Sequence, residues 1–133
     1  ENDDRVFTFS MHGAHNYPFQ KEKSDLDIAL PDGIGDAEYL GLLKLHLERL
    51  IASHPFDFAF YLSGVDILET DKFGKLKVTP AGCRERDNLV FETLKRKGIP
   101  CTVAMGGGYS PDINMIVEAH CHTFRKAKEV FGL

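Results

Sequence analysis

Three short apolar runs, each ending in a loop of glycines or small polar residues, set the strongest limit on how this chain can fold. Val6-Phe7-Thr8-Phe9-Ser10, Phe56-Asp57-Phe58-Ala59-Phe60-Tyr61-Leu62 and Pro100-Cys101-Thr102-Val103-Ala104-Met105 are rich in aromatic, β-branched and aliphatic residues, which suit a buried strand. Helical patterns lie between and after them. Asp36 is expected to cap a helix reaching about Ser53, with Leu40, Leu43, Leu47, Leu50 and Ile51 on one stripe and Pro55 just past its end. Thr79-Pro80 reads as the cap and first turn of a second helix, continuing through Val90 and Leu94 to a stop at Gly98. Ser110-Pro111 opens a third, with Ile116, Ala119, Thr123, Ala127 and Val130 aligned. Strands that alternate with helices predict an α/β fold, a parallel sheet with helices on its faces joined by right-handed crossovers. The segment 11–35 is polar, glycine-bearing and broken by Pro18 and Pro31, and reads as one long loop, which in a compact domain usually serves function.

With 133 residues, 43% of them hydrophobic, the chain can build one core and is too short for two ordinary domains. Lys and Arg total 16 against 20 Asp and Glu, a net charge of -4, and the basic residues are scattered, which argues against electrostatic nucleic-acid binding. Cys83, Cys101 and Cys121 are odd in number and widely spaced, as free thiols of a reducing, cytoplasmic compartment would be. No apolar run approaches the roughly 20 residues that span a bilayer, and Glu1-Asn2-Asp3-Asp4 lacks the order of a signal peptide. A start without Met that runs almost at once into an apolar strand is expected of a truncated chain.

In open parallel sheets, chemistry collects beyond the carboxyl ends of the strands. Here those segments are Ser10-Met11-His12, Ser63-Gly64-Val65-Asp66 and Gly106-Gly107-Gly108-Tyr109, and they should converge on one rim. Asp66, where a strand hands over to a loop, could be a metal ligand or simply cap the turn. Asp71 in Thr70-Asp71-Lys72-Phe73-Gly74 suits a turn role. The three glycines would let backbone approach an anion, yet no Lys follows in the position a phosphate loop needs. Taken alone, Tyr109 would be a packed aromatic. His120-Cys121-His122 looks like a metal cluster as text, but residues two apart on a helix do not share a face, and structural or surface roles suffice, as they do for His46 and His54.

Together these segments are far more specific than any one of them, and they resemble the histone deacetylase family, in particular its class IV branch and bacterial relatives. Residues 6–12 are similar to a family strand ending in Ser-x-His. Leu30-Pro31-Asp32-Gly33, followed by Asp36 and Tyr39-Leu40, resembles its Leu-Pro-x-Gly and Asp-x-x-Tyr-Leu helix entry. The stretch from Ser63 to Gly74 resembles its Gly-x-Asp loop, and Gly106 to Tyr109 its glycine-tyrosine loop. The resemblance implies an arginase/deacetylase-like three-layer fold, with residues 1–133 as the carboxyl-terminal portion of one catalytic domain. It further implies that Asp66 is a zinc ligand, that Asp71 belongs to the supporting turn, and that the Tyr109 hydroxyl bonds a developing oxyanion. By the same correspondence Tyr17, Phe73 and Gly107 would line an acyl-lysine channel, and Ser10 and Met11 would hold a structural potassium ion.

The family's Asp-x-His ligand motif and its histidine pair have no counterpart here, because they precede the strand that begins at Val6. Glu69-Thr70 also stands where many members have a small residue and Gly. The expectation is therefore an incomplete, inactive portion of a zinc-dependent hydrolase of acyl-lysine or acyl-polyamine amides. Its partner would be the missing upstream half of its own domain or a second copy, and neither nucleic acid nor membrane. Two other readings remain: a complete α/β module binding an anion or nucleotide at Gly106 to Gly108, and a non-catalytic interaction fragment.

Overall fold

All strand pairing among the described residues is parallel, as apolar strands alternating with helices require. The computed structural model describes residues 3–133; Glu1 and Asn2, the first half of the acidic start, lie outside the described residues. The elements are β1 (Phe9–Gly13), β2 (Leu26–Leu30), α1 (Asp36–Ser53), β3 (Ala59–Leu62), α2 (Pro80–Arg96), β4 (Cys101–Ala104) and α3 (Ile113–Phe131). β1 pairs with β2, Phe9 opposite Leu26, and β3 with β4, Ala59 opposite Cys101. The two pairs are separate sheets among the described residues, where one sheet was expected.

The helices follow their patterns, with instructive shifts at the ends. α2 starts as predicted: Thr79 accepts the Gly82 N–H at 3.1 Å and Pro80 occupies the first turn. Asp36 does not cap α1. Gly35 takes that position, and the Asp36 carboxylate instead accepts the Thr79 N–H at 2.8 Å and the Thr79 hydroxyl at 2.6 Å, tying the start of α1 to the start of α2. A Cβ on Gly82 would stand 2.2 Å from that carboxylate, so a side chain there would displace it. α3 begins two residues after the expected Ser110-Pro111, because Asp112 accepts the Asn114 N–H and is the better cap. The first strand is also displaced, running Phe9–Gly13 rather than 6–10, so Met11 is a strand residue and not the start of a loop.

The larger correction is β2, which lies inside the presumed loop. Its five residues alternate, with Asp27 and Ala29 outward and Ile28 and Leu30 inward. The irregular segment between β3 and α2 also departs from a simple loop: Val65, Leu68, Leu76 and Val78 are essentially inaccessible. Leu68 and Val78 form a bridge, and the backbone is pinned by Glu69 N–H to Val78 C=O and Lys77 N–H to Ile34 C=O. Side chains presented by this segment therefore stand on the core itself.

β3 and β4 bury one face only. Ala59, Tyr61 and Val103 turn inward, while Phe60 is 78% and Leu62 76% exposed, with Met105 beyond β4 at 64%. Parallel strands are ordinarily covered on both faces, so this side is apolar and uncovered among the described residues. The outer side of α3 adds Val117 and Phe124 to the exposed apolar surface. Among the described residues no helix is long and apolar enough to cross a membrane.

On the covered side, α2 packs against α1 and α3 and carries a buried charge pair that the sequence pattern hides. Arg86 and Asp87 are almost fully buried, joined Nε to Oδ1 at 2.9 Å. Asp87 also accepts the Tyr61 hydroxyl at 2.5 Å and the Thr123 hydroxyl at 2.7 Å, linking β3, α2 and α3. Breaking a buried pair strands the surviving charge, which typically costs about 3–5 kcal/mol. Asp87→Ala is expected to lower the unfolding free energy by about that amount in denaturant titration; a loss below about 1 kcal/mol would match an exposed pair instead.

Candidate active site

The site grows out of strand pairing that continues past the strands. Ser63 N–H donates to Ala104 C=O at 2.9 Å and Val65 N–H to Gly106 C=O at 3.0 Å, so the loop after β3 and the glycine loop after β4 run side by side. Arg86 adds a third tie by donating from Nη1 to the Gly64 carbonyl. Asp66, next along, is thereby set against Gly107. A Cβ on Gly107 would lie 2.7 Å from Asp66 Oδ1, and one on Gly64 would lie 2.6 Å from the same atom. Gly107 also has φ +62, in the region that favours glycine. The carboxylate is thus enclosed by bare backbone from both loops. Burial pushes its pKa up from the ordinary value; its own backbone N–H opposes this, the Asp71 charge adds to it, and Arg86 opposes it.

Asp71 is buried and stands between the same two loops. Its Oδ1 accepts the Phe73 and Gly74 N–H groups at 2.9 and 2.7 Å, an Asx-type turn. Its Oδ2 accepts the Tyr109 N–H at 2.7 Å. The Lys72 N–H donates to the Tyr109 carbonyl at 3.3 Å, and the Phe73 and Tyr109 rings meet edge to face, 5.1 Å between centroids. Both rings remain largely exposed, at 63% and 58%, and with Gly107 they form an aromatic and backbone rim beside Asp66.

The structure thus brings Asp66, Gly107, Phe73 and Tyr109 together. Tyr17 stands apart: it is 81% exposed and packs on Phe19, and among the described residues no ring pair joins it to Phe73 or Tyr109. Its segment is tied to the site loop through Asn16, whose Oδ1 accepts the Lys75 N–H. Ser10 and Met11 lie on β1, in the other strand pair, and the Ser10 hydroxyl is 2.8 Å from His12 Nδ1. His120 and Cys121 border one groove with Val117 and Phe124, whereas His122 lines a different one with Pro80 and Cys83, so the two histidines, two apart on the helix, do not share a face.

Zinc sites use three or four protein ligands drawn from Cys, His, Asp and Glu. Among the described residues no three such side chains gather closely enough to hold a metal ion, and Asp66 offers a single carboxylate. An anion at Gly107 would face the Asp66 carboxylate, so the geometry favours a cation there. Asp71 closes the turn that the sequence assigns to it, and its second oxygen also reaches Tyr109, 38 residues away, a contact that local sequence does not signal. Arg86 was not singled out; its signal is a charge on the stripe of α2 that carries Cys83 and Val90.

Comparison with known proteins supplies the context. Residues 1–124 match the histone deacetylase domain. The chain is 42% identical over 131 residues to an uncharacterized protein of Picosynechococcus sp., covering 98% of this chain and 44% of that protein. It is 34% identical over 113 residues to histone deacetylase 2 of Arabidopsis thaliana, covering 81% of this chain and 29% of that protein. The chain therefore spans less than half the length of either relative. Among solved structures it superposes on an HDAC homolog complexed with SAHA with a TM-score of 0.76 at 24% identity, covering 98% of this chain and 41% of that one. It also superposes on acetylpolyamine aminohydrolase from Burkholderia pseudomallei with a TM-score of 0.77 at 20% identity, covering 95% and 39%. At these identities the two structures establish the shared fold.

The enclosure of Asp66 by glycine backbone has a measurable consequence. Gly98 has nearly the same φ as Gly107, +68 against +62, but nothing lies within 4 Å of its would-be Cβ. Gly98→Ala is expected to cost only the left-handed strain of about 1–2 kcal/mol. Gly107→Ala should cost distinctly more in thermal or denaturant unfolding, because its methyl collides with Asp66. Equal losses would show that the carboxylate is not seated there.

Proposed function

This chain belongs to the histone deacetylase family and covers a portion of its domain, and on that footing we propose that it supplies one metal-binding carboxylate and the oxyanion-binding tyrosine of a zinc-dependent deacylase. The observation that carries this reading is the seating of Asp66 between Gly64 and Gly107, with Tyr109 fixed on the same rim. A partly buried carboxylate held against bare backbone gains most from a bound cation, and Asp66 is the residue that would hold it. When bound, zinc lowers the pKa of a water molecule and polarises an acyl carbonyl. The Tyr109 hydroxyl would donate a hydrogen bond to the carbonyl oxygen as negative charge develops on it, where a preorganised donor is most effective. Phe73 and Tyr109, edge to face and open to solvent, would border a narrow aliphatic acyl-lysine or acyl-polyamine chain, with Gly107 leaving room beside the metal ligand. Tyr17 would join this channel from the segment that Asn16 ties to Lys75, and the Ser10 hydroxyl and Met11 carbonyl would hold potassium.

Residues 1–133 are, in this reading, the carboxyl-terminal portion of one catalytic domain, and the remaining zinc ligands and the acid-base histidines come from outside them. One feature supports it: among the described residues, the apolar face with Phe60, Leu62 and Met105 lacks a covering layer. Further strands joining the two parallel pairs, with helices over that face, would complete a three-layer fold. The 133 residues alone would then be inactive and would stay with their upstream half or self-associate. Free thiols at Cys83, Cys101 and Cys121 suit a cytoplasmic setting.

In a complete domain carrying these residues, Asp66→Ala is expected to abolish tight zinc binding and activity, whereas Asp71→Ala keeps the metal. Stoichiometric zinc in the Asp66 variant, measured by elemental analysis, would remove Asp66 from the site. Tyr109→Phe should keep the metal and lower kcat by about 10²- to 10³-fold, the usual scale for one oxyanion donor; turnover at the parent rate would leave Tyr109 a packing residue.

A further inference from the structure

Tyr109 follows two consecutive glycines with positive φ, Gly107 and Gly108, and lies outside any helix or strand. Such a stretch does not orient a side chain by itself. Among the described residues its anchors come from three consecutive residues on the other loop: the Asp71 carboxylate takes its N–H, the Lys72 N–H meets its carbonyl, and the Phe73 ring meets its ring. Among the described residues Asp71 alone bridges the two segments with a charge-assisted hydrogen bond, at 2.7 Å, while its other oxygen gathers Phe73 and Gly74 into the turn that carries the Phe73 ring. The residue is 8% exposed, and its own segment is rooted in the core by Leu68 and Leu76, each 2% exposed.

We propose that Asp71 is the positioning residue for the Tyr109 hydroxyl: its carboxylate clamps the glycine loop to the Phe73 turn and so holds the hydroxyl where the substrate oxygen must lie. The proposal rests on the reading of Tyr109 as the oxyanion donor. Removing the carboxylate frees three backbone N–H groups, those of Phe73, Gly74 and Tyr109. The glycine loop then loses its charge-assisted link to the turn. Small misplacements of a catalytic group cost up to about a hundredfold in rate.

The test is a double-mutant cycle in a complete domain carrying these residues, with kcat, zinc content and backbone amide exchange measured on each variant. Asp71→Ala is expected to lower kcat by about tenfold to a hundredfold with zinc retained, and to raise the exchange rate of the Tyr109 amide at least about tenfold, since its acceptor is gone. In a Tyr109→Phe background the same Asp71→Ala change should alter kcat by less than about threefold, because there is no hydroxyl left to position. Asp71→Asn, which keeps one carbonyl oxygen, should fall between parent and Ala, and serves the same cycle if the Ala variant does not fold. An equal kcat loss in both backgrounds, loss of zinc on Asp71 substitution, or an unchanged Tyr109 amide would overturn the positioning role while leaving the oxyanion reading in place. Parent-level turnover in Tyr109→Phe alone would overturn both, and is read from a different arm of the cycle.

Discussion

The site depends on the register in which β3 and β4 pair, because that register does not stop at the last strand residue. Leu62 stands opposite Ala104, and the next two ladder-like bonds, Ser63 to Ala104 and Val65 to Gly106, carry the pairing into the loops. Asp66 and Gly107 become neighbours as a direct result, and the absence of a side chain at Gly107 leaves the space that the carboxylate fills. A one-residue slip would turn Asp66 to the other side of its segment and part it from the glycine loop. The Arg86 contact to the Gly64 carbonyl guards against such a slip, since Arg86 is itself locked to Asp87, and Asp87 to Tyr61 on β3. The buried ion pair thus connects the stability of the helical layer to the position of the loop beside it.

Much of this architecture was legible in the sequence because local signals agreed with the final packing. Thr79-Pro80 opens α2 as its chemistry dictates, and the apolar runs became parallel strands in the predicted chain order. Reading failed where a short element carried a mixed signal. β2 is five residues long and places Asp27 and Ala29 on its open face, so it offers neither a continuous apolar run nor enough length for a clear alternation. Asp36 misled for a different reason: a carboxylate at a helix start is a good cap, but the Thr79 hydroxyl and amide offered two bonds together, and Gly35 filled the vacated role. That competition is tertiary, and no window of local sequence contains it.

The candidate site was legible in a similar, partial way. Strand-end position drew attention to residues 63–66 and 106–109, while the roles of Asp66, Gly107 and Tyr109 came from the resemblance to the family; the fold brings these three together with Phe73. Ser10, Met11 and Tyr17 lie on or beside the other strand pair, whose relation to the β3 and β4 pair is not set by any strand pairing among the described residues. Asp71 was undervalued because sequence proximity explains only one of its oxygens, the one that closes the turn; the other serves a contact with high sequence separation. The exposed faces of Phe60, Leu62 and Met105 carry the complementary message. Parallel strands are ordinarily covered on both faces, and among the described residues this pair is covered on one.

The central claim, that these residues hold part of a metal site completed from outside them, is tested most directly by native mass spectrometry and a deacetylation assay on one sample of the 133-residue chain, compared with a complete domain that carries it. The account predicts that the chain alone is free of stoichiometric zinc, inactive, and associated with itself or with a retained upstream segment, while the complete domain holds one zinc per domain and is active. A monodisperse monomer of these 133 residues with the full activity of the complete domain would contradict it.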